Sequence, residues 1–484
     1  MTIATPGDET ILTADYADTS EALAGSEAAT VNTGGLLAEP TNDEDESALP
    51  DWLRESRARA WREFQTLALP ARTEQAWRFS TLGKIDLKNY QPAQPISETV
   101  REKLIARSAG NRDSAGLMVF ANDRLIAREV YAAELAAQGV LWLPLDEAAR
   151  AHGDLFRRHF MTQEILLGSK KFAALHAARV RAGTFLYVPK NVEVALPLEV
   201  FHWLGGGAGS AVFPHTLLIA EAGSKVTLVD YYESERADAG GFACGVNDLV
   251  VGPGAQVTYL CAQNWNEKTV SFQINTTTVE RDAKVTSLHL NLGAAYARLE
   301  SLSRLVGAGG RSDMLAATVA NGTQEFDQRT LQDHVAPHTT SDLLYKNSLS
   351  DTARTIFAGL IRVEPQAQAT DAYQKVRNLL LSEEAEANSM PGLEILADEV
   401  RCTHGATSGA VDAEEMFYLL SRGIDPLTAR QLIVFGFLNE IVERLGDERV
   451  AGKLTELLRA KFERLHAERR QQRSNNSAAV AAAA

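Results

Sequence analysis

The sequence predicts a mainly β protein: a parallel β-helix (β-solenoid) core flanked by helical N-terminal and C-terminal domains. Three observations predict it. From about Gly183 the chain becomes short Val, Ile, Leu, Thr and Tyr runs broken by Gly, Pro and Asn, the texture of strands and turns. Within that stretch a phrase of turn residue, small residue, polar residue, Val and Thr recurs. On both sides, apolar residues follow a helical period instead, bounded by capping residues. The expected divisions are a disordered acidic arm over 1–47, a mainly helical domain over 48–180, the β-helix over 181–398, a helical domain over 399–470 and a disordered tail over 471–484.

The arm is expected because Met1 to Leu53 contains no Lys, Arg or His, while acidic residues culminate in Asp43, Glu44, Asp45 and Glu46. Such a segment repels itself and lacks core-forming residues. Beyond Pro50, Trp52, Leu53, Trp61, Phe64 and Leu67 recur near a helical period until Pro70. Two apolar runs between Leu117 and Val130 flank Asn122 and Asp123, the pattern of a hairpin, and Asp146 to Phe160 returns to helical character.

In the core, the phrase stands at Gly223–Thr227, Gly254–Thr258, Asp282–Thr286 and Gln366–Thr370, with first residues 31, 28 and 84 positions apart. Since 84 is three times 28, further copies are expected near Gly310 and His338. A fixed period of this size means one small unit stacking on the next, none able to bury its apolar face alone. Each turn would place its corner residue where glycine tolerates positive φ, then launch a strand through Val and Thr.

After Cys402, Asp412 is placed to cap a helix with Glu415 as its capping-box partner and Gly423 to end it. Asp425 before Pro426 starts a second helix, with a stripe of Leu432, Phe435, Leu438, Ile441 and Leu445. A third is expected from about Asp447 to Arg469.

Composition excludes several functions. A net charge of −15 argues against general nucleic-acid affinity, which needs clustered Lys and Arg. No run reaches the length of a membrane span, and the N-terminus lacks the basic and apolar regions of a signal peptide, so a cytoplasmic protein is expected. Cys244, Cys261 and Cys402 are too few and too scattered for a disulfide framework. Gly205–Gly207 is not followed by Lys-Ser/Thr, and no Walker motif, nucleophile elbow or histidine–glutamate zinc motif is present. No enzymatic centre is expected.

The candidate metal ligands are Cys402 and His404, two positions apart and on one face if the chain is extended there. Thiolate with imidazole suits iron, zinc or an iron–sulfur cluster. Two ligands do not close a site, so a second element or chain would complete it. A cysteine packed as a small hydrophobe is the alternative. Cys244 and Cys261 lie in consecutive repeats, where they could face the solenoid interior, and structural packing is expected for both. His334 and His338 are expected at the surface or an interface. His152, His159, His176, His202, His215 and His289 show no mutual ligand spacing.

The block ADEVRCTHGATSGAVDAEEMFYLLSRGI from Ala397 resembles the C-terminal signature of the SufB/SufD family of iron–sulfur cluster assembly proteins. HTTSDLLYKNSLSDTARTIFAGLIRV from His338, AYQKVRNLLLSEEAEANSMPGLEI from Ala372 and, more loosely, RTEQAWRFSTL from Arg72 extend the resemblance over most of the chain. Cys402-Thr403-His404-Gly405-Ala406-Thr407 looks like the SufD branch; the SufB branch usually has His-Glu-Ala-Thr here and additional cysteines. The resemblance implies a parallel β-helix, pairing with a SufB-like homologue through it, and docking of a SufC-like ATPase on the C-terminal helices. It implies no permanently bound cofactor, but iron or a nascent cluster held transiently at the subunit junction, where Cys402 and His404 would be ligands. Met416, Phe417, Tyr418, Leu419, Arg422 and Gly423 would form the ATPase-docking surface; the alternative is a self-contained amphipathic helix. A paralogue that only anchors the ATPase, or a β-helix enzyme cleaving acidic polysaccharides, would be the competing functions.

Overall fold

The computed structural model describes residues 35–40, 49–108 and 113–483. The N-terminal elements are α1 (Asp51–Thr66), β1 (Gln91–Pro92), α2 (Glu98–Arg107), β2 (Gly116–Ala121), β3 (Arg124–Val130), α3 (Glu134–Ala137), β4 (Leu141–Pro144), α4 (Leu145–Ala151), α5 (Gly153–His159) and α6 (Lys170–Arg179). The hairpin β2–β3 turns at Asn122 and Asp123, whose φ of 50° and 57° suit the tight turn that matches strand twist.

From Gly183 the strands alternate between two sheets. One contains β5 (Gly183–Val188), β8 (His215–Ala220), β10 (Phe242–Val251), β12 (Val270–Val279), β14 (Tyr296–Leu305), β16 (Glu325–His334), β18 (Arg354–Val363) and β20 (Glu386–Ile395). The other contains β6 (Leu198–Leu204), β9 (Lys225–Ser234), β11 (Gln256–Asn264), β13 (Lys284–Asn291), β15 (Arg311–Ala320), β17 (Thr340–Leu349), β19 (Thr370–Leu380) and β21 (Val400–Ala410). Short β7 (Ser210–Val212) links β1 to β10. Every solenoid strand pairs in parallel with the equivalent strand one turn away, the expected β-solenoid.

The recurring phrase marks one corner of each turn. Gly223, Gly254, Asp282, Gly309, His338 and Ala369 stack there, all with φ between 56° and 76°. Their amides continue the ladder around the corner, as in Gly254 N–H to Arg281 O at 2.8 Å and His338 N–H to Gln368 O at 2.8 Å. Register pairs such as Gln256 with Lys225 and Lys284 with Arg311 set spacings of 31, 28, 27, 29 and 31. The fourth and sixth corners are therefore Gly309 and Ala369, where a strict 28-residue period expects Gly310 and Gln366. Strand pairing fixes the register, and the turns absorb the difference in length.

The first end of the solenoid is capped: β2 adds parallel to β6 and β4 antiparallel to β5. Its strands thus make the N-terminal domain less purely helical than expected. Trp77, Phe172 and Phe272 cover one outer face, and Arg298 is buried there between Glu300 (2.8 Å) and Asp327 (2.6 Å). After α7 (Ala413–Ser421), helices α8 (Pro426–Arg444) and α9 (Glu448–Ala483) cover the outer face of the second sheet. Val434, Leu438, Ile441, Leu454 and Leu458 pack there on Leu260, Leu288, Leu315 and Leu344. Lys346–Glu440 (2.6 Å), Arg444–Asp342 (2.7 Å) and Lys461–Glu267 (2.8 Å) pin the helices to the strands.

Several expectations change. β21 carries the solenoid past 398, and α9 continues through the expected tail. The acidic arm lies outside the described residues except for 35–40, where Leu36 is fully buried and its N–H donates to Tyr90 O. Cys261 faces the solenoid interior, but Cys244 points outward, its thiol donating to Phe172 O beneath α6. Alternation along β10 decides this: Ala243 takes the inward position. His334 is buried rather than superficial, bonded to Thr339 and Ser341, while His338 is exposed. Along α8 and its C-cap, Leu438, Ile441 and Leu445 are buried, but Leu432 is exposed.

Candidate functional site

Among the described residues, no strand stacks on the last turn of the solenoid. β20 and β21 end their sheets, each with hydrogen bonds on one side only. Such edges present a row of unpaired N–H and C=O groups, which proteins normally blunt or use for pairing.

Cys402 and His404 both lie on β21, two residues apart and so about 6.6 Å along the strand on the same side. Their register partners on β19 are Ala372 and Gln374, both buried, whereas the intervening Tyr373 is exposed. The pair therefore continues the inward column of the solenoid onto a turn that no other described residues stack upon. Cys402 is half-buried against Ile361, Val363, Ala372 and Ala397, while His404 is exposed. Burial, reinforced by the Asp371 carboxylate, pushes the Cys402 thiol up, and the hydrogen bond with the Ala372 backbone acts the other way. A metal or a nearby cation would favour its thiolate.

Beneath His404, Gln374 is buried with neither amide atom hydrogen-bonded. Its amide lies over Gly359 of β18, where a Cβ would come within 1.8 Å of Gln374 Nε2. Sequence reasoning missed both residues: they lie in other strands, and only the stacking of turns brings them under the Cys-x-His pair. The rim adds Leu393 and Ile395 of β20, both exposed apolar side chains. Asn378 joins the two sheets here through Ser389 (3.3 Å) and Ser408 (3.1 Å). Among the described residues no group of three or more His, Cys, Asp or Glu is arranged to hold a metal. Cys402 and His404 would need ligands from elsewhere.

The second expected surface is α7. Asp412 caps it by accepting from Glu414 N–H, and Gly423 follows it with φ of 82°. No residue of α7 is buried; Phe417 is 72% and Tyr418 57% exposed. Met416 and Leu419 are half-buried, and the Arg422 guanidinium stands 5.0 Å from the Tyr418 ring centre. Glu414, Glu415, Tyr418, Leu419, Leu432 and Ile433 line a groove of about 490 Å³ between α7 and α8. An isolated amphipathic helix would turn its aromatic side inward; this one presents it to solvent.

Of the remaining histidines, the fold brings together His176 and His215, Nε2 to Nδ1 at 3.1 Å, with Asp248 3.6 Å from His215. Burial holds His176 down at about 4. Their separation in sequence carries no signal of this contact. No helix among the described residues is long and apolar enough to cross a membrane.

Comparison with known proteins gives the family. The family model "SUF system FeS cluster assembly, SufBD core domain" matches residues 202–437, and "SufBD protein N-terminal region" matches 40–200. The iron-sulfur cluster assembly protein SufD of Bacillus subtilis is 29% identical over 416 residues, 85% of this chain and 94% of its own. An iron-sulfur cluster assembly SufBD family protein of Staphylococcus saprophyticus is 24% identical over 424 residues, 85% of this chain and 89% of its own. One from Staphylococcus epidermidis is 28% identical over 312 residues, 64% and 67% of the two chains.

Proposed function

Because the chain belongs to the SufB/SufD family of the SUF iron–sulfur cluster assembly system, we propose that it is a scaffold without turnover of its own. In this reading its uncovered solenoid end pairs with a SufB-like homologue, α7 docks a SufC-like ATPase, and the nascent cluster forms at the junction in the cytoplasm. The observation that carries the proposal is the exposed terminal strand with Cys402 and His404 side by side on its inward column. An open edge of 11 residues can extend a partner's sheet by main-chain hydrogen bonds. The partner would then bury the mouth and supply the missing ligands.

The chemistry asked of this chain is modest. Cys402 would give a soft thiolate and His404 an imidazole nitrogen, both suited to iron in a sulfur-rich site. The cluster is cargo here, so weak, incomplete coordination by one chain serves release. ATP hydrolysis by the docked partner would move α7 and, through α8 and its ion pairs to Lys346 and Asp342, strain the second sheet near its open end. The test is co-expression of Cys402→Ser and His404→Ala with the SufB-like and SufC-like partners. Cluster absorbance per complex should fall in both while the complex stays intact. Unchanged absorbance would remove the pair from the site and leave a subunit that only anchors the ATPase.

A further inference from the structure

Inside the solenoid, one inward row of the second sheet is polar over its last six turns: Gln263, Asn291, Thr318, Asn347, Asn378 and Ser408 are register partners on successive strands from β11 to β21. All but Ser408 are buried. Asn291 Nδ2 donates to Thr318 Oγ1 at 3.2 Å, and the Gln328 amide of β16 donates both to that hydroxyl (2.9 Å) and to Asn347 Oδ1 (3.0 Å). From there the bonds run one way. Asn347 Nδ2 donates to Asn378 Oδ1 at 2.8 Å, and Asn378 Nδ2 donates to Ser408 Oγ at 3.1 Å. The backbone fixes that sense: Asn378 Nδ2 also lies 3.4 Å from Thr407 O, a carbonyl that can only accept, so turning the amide over would set two acceptor oxygens against each other.

The consequence falls on the open end. Ser408 is exposed and accepts from Asn378, as does the Ser389 hydroxyl of β20 at 3.3 Å, so each terminal hydroxyl has its own proton to give outward. Hydrogen bonds aligned head to tail polarise one another, and the row therefore ends as a donor with partial positive character. Around it, β21 carries Arg401 and His404 and no carboxylate from Val400 to Ala410. We propose that the open end selects its partner by hydrogen-bond polarity: the partner strand laid along β21 presents, opposite Ser408, the acceptor oxygen of an amide or carboxylate side chain. This rests on the reading that a SufB-like homologue pairs here. A strand with an apolar side chain at that position would bury the Ser408 hydroxyl without an acceptor, the kind of mismatch by which an interface rejects a wrong partner or a wrong register.

The test measures binding of the full chain to the purified SufB-like partner by calorimetry, in about 0.5 M salt to screen the general effect of an added charge. It compares the wild type with Ser408→Asn, Ser408→Asp and Ser408→Ala. Asn and Asp are alike in size and both can accept from Asn378, but only Asn then has donor hydrogens to turn outward. Affinity should stay within about threefold of wild type for Ser408→Asn, fall about tenfold or more for Ser408→Asp and about fivefold for Ser408→Ala, which adds no bulk. Urea midpoints of the isolated variants should match the wild type, because Ser408 is exposed. Equal affinity of the Asn and Asp variants, or full affinity of Ser408→Ala, would overturn the polarity proposal and leave the pairing standing. Failure of the wild type to bind the partner would overturn the pairing itself, and the proposal with it.

Discussion

His404 lies directly over Gln374: the two are register partners on β21 and β19, and the amide beneath is buried without a hydrogen-bond partner on either polar atom. An unpaired buried amide costs roughly 1–3 kcal/mol. Gln374→Met, similar in volume and without the amide, should therefore stabilise the isolated chain by about 1 kcal/mol in urea unfolding. In the proposed complex with SufB-like and SufC-like partners, the same variant should lower cluster yield if the amide finds its partner only at the junction.

Gly359 makes room for that amide. A Cβ there would meet Gln374 Nε2 at 1.8 Å, Phe357 Cζ at 2.6 Å and Thr330 Oγ1 at 2.7 Å. Gly359→Ala should cost about 1–3 kcal/mol by overpacking. Adding Gln374→Ala should recover part of the loss, and a double-mutant cycle from urea midpoints measures the coupling. Strictly additive costs would show that the amide does not occupy this space.

Cys402 should react slowly for an accessible thiol, because burial and Asp371 both raise its pKa. Asp371→Asn should speed alkylation by iodoacetamide at pH 8 about two- to threefold, as more of the thiol becomes thiolate. An unchanged rate would leave burial as the whole cause.

His289 is buried in β13 and held down at about 4 by burial. The unfolded imidazole takes up its proton near pH 6.5 and the folded one does not, so its contribution to stability is present above 6.5 and lost as pH falls towards 4. Asp230 and Asp248, pushed up to about 6 by burial, act in the opposite sense over much of that range. The effect of His289 is therefore to be read as a difference between proteins. Between pH 7 and pH 4, His289→Gln should gain roughly 2–3 kcal/mol relative to wild type in urea unfolding.

Phe417 and Tyr418 bury little in this chain, so replacing either with Ala should change its stability by less than about 0.5 kcal/mol. If α7 is the ATPase-docking helix, each substitution should weaken that complex by about tenfold or more, as measured by calorimetry. Affinity equal to wild type would move the docking surface elsewhere.

Much of this fold was legible in the residues. Asn122 and Asp123 announce the hairpin, Asp412 and Asp425 the helix starts, and Gly223 and Gly254 the solenoid corner, because each acts through its own backbone and near neighbours. The Cys402–His404 pair was legible for the same reason, since two residues on a strand share a face. Gln374 and Gly359 were not, because their meaning depends on which turn stacks over which.

By itself, then, the sequence determined the strand texture, four of the six corner residues, the caps and the family. Tertiary structure decided what faces what. Cys261 points into the solenoid and Cys244 out of it because parity in a strand has no inside until a neighbouring turn and a covering helix define one. It also decided that β21 belongs to the solenoid and is its last turn. His404 is exposed and Cys402 only half-buried for that reason: the column they continue is core where another turn covers it, and a surface where the stacking stops.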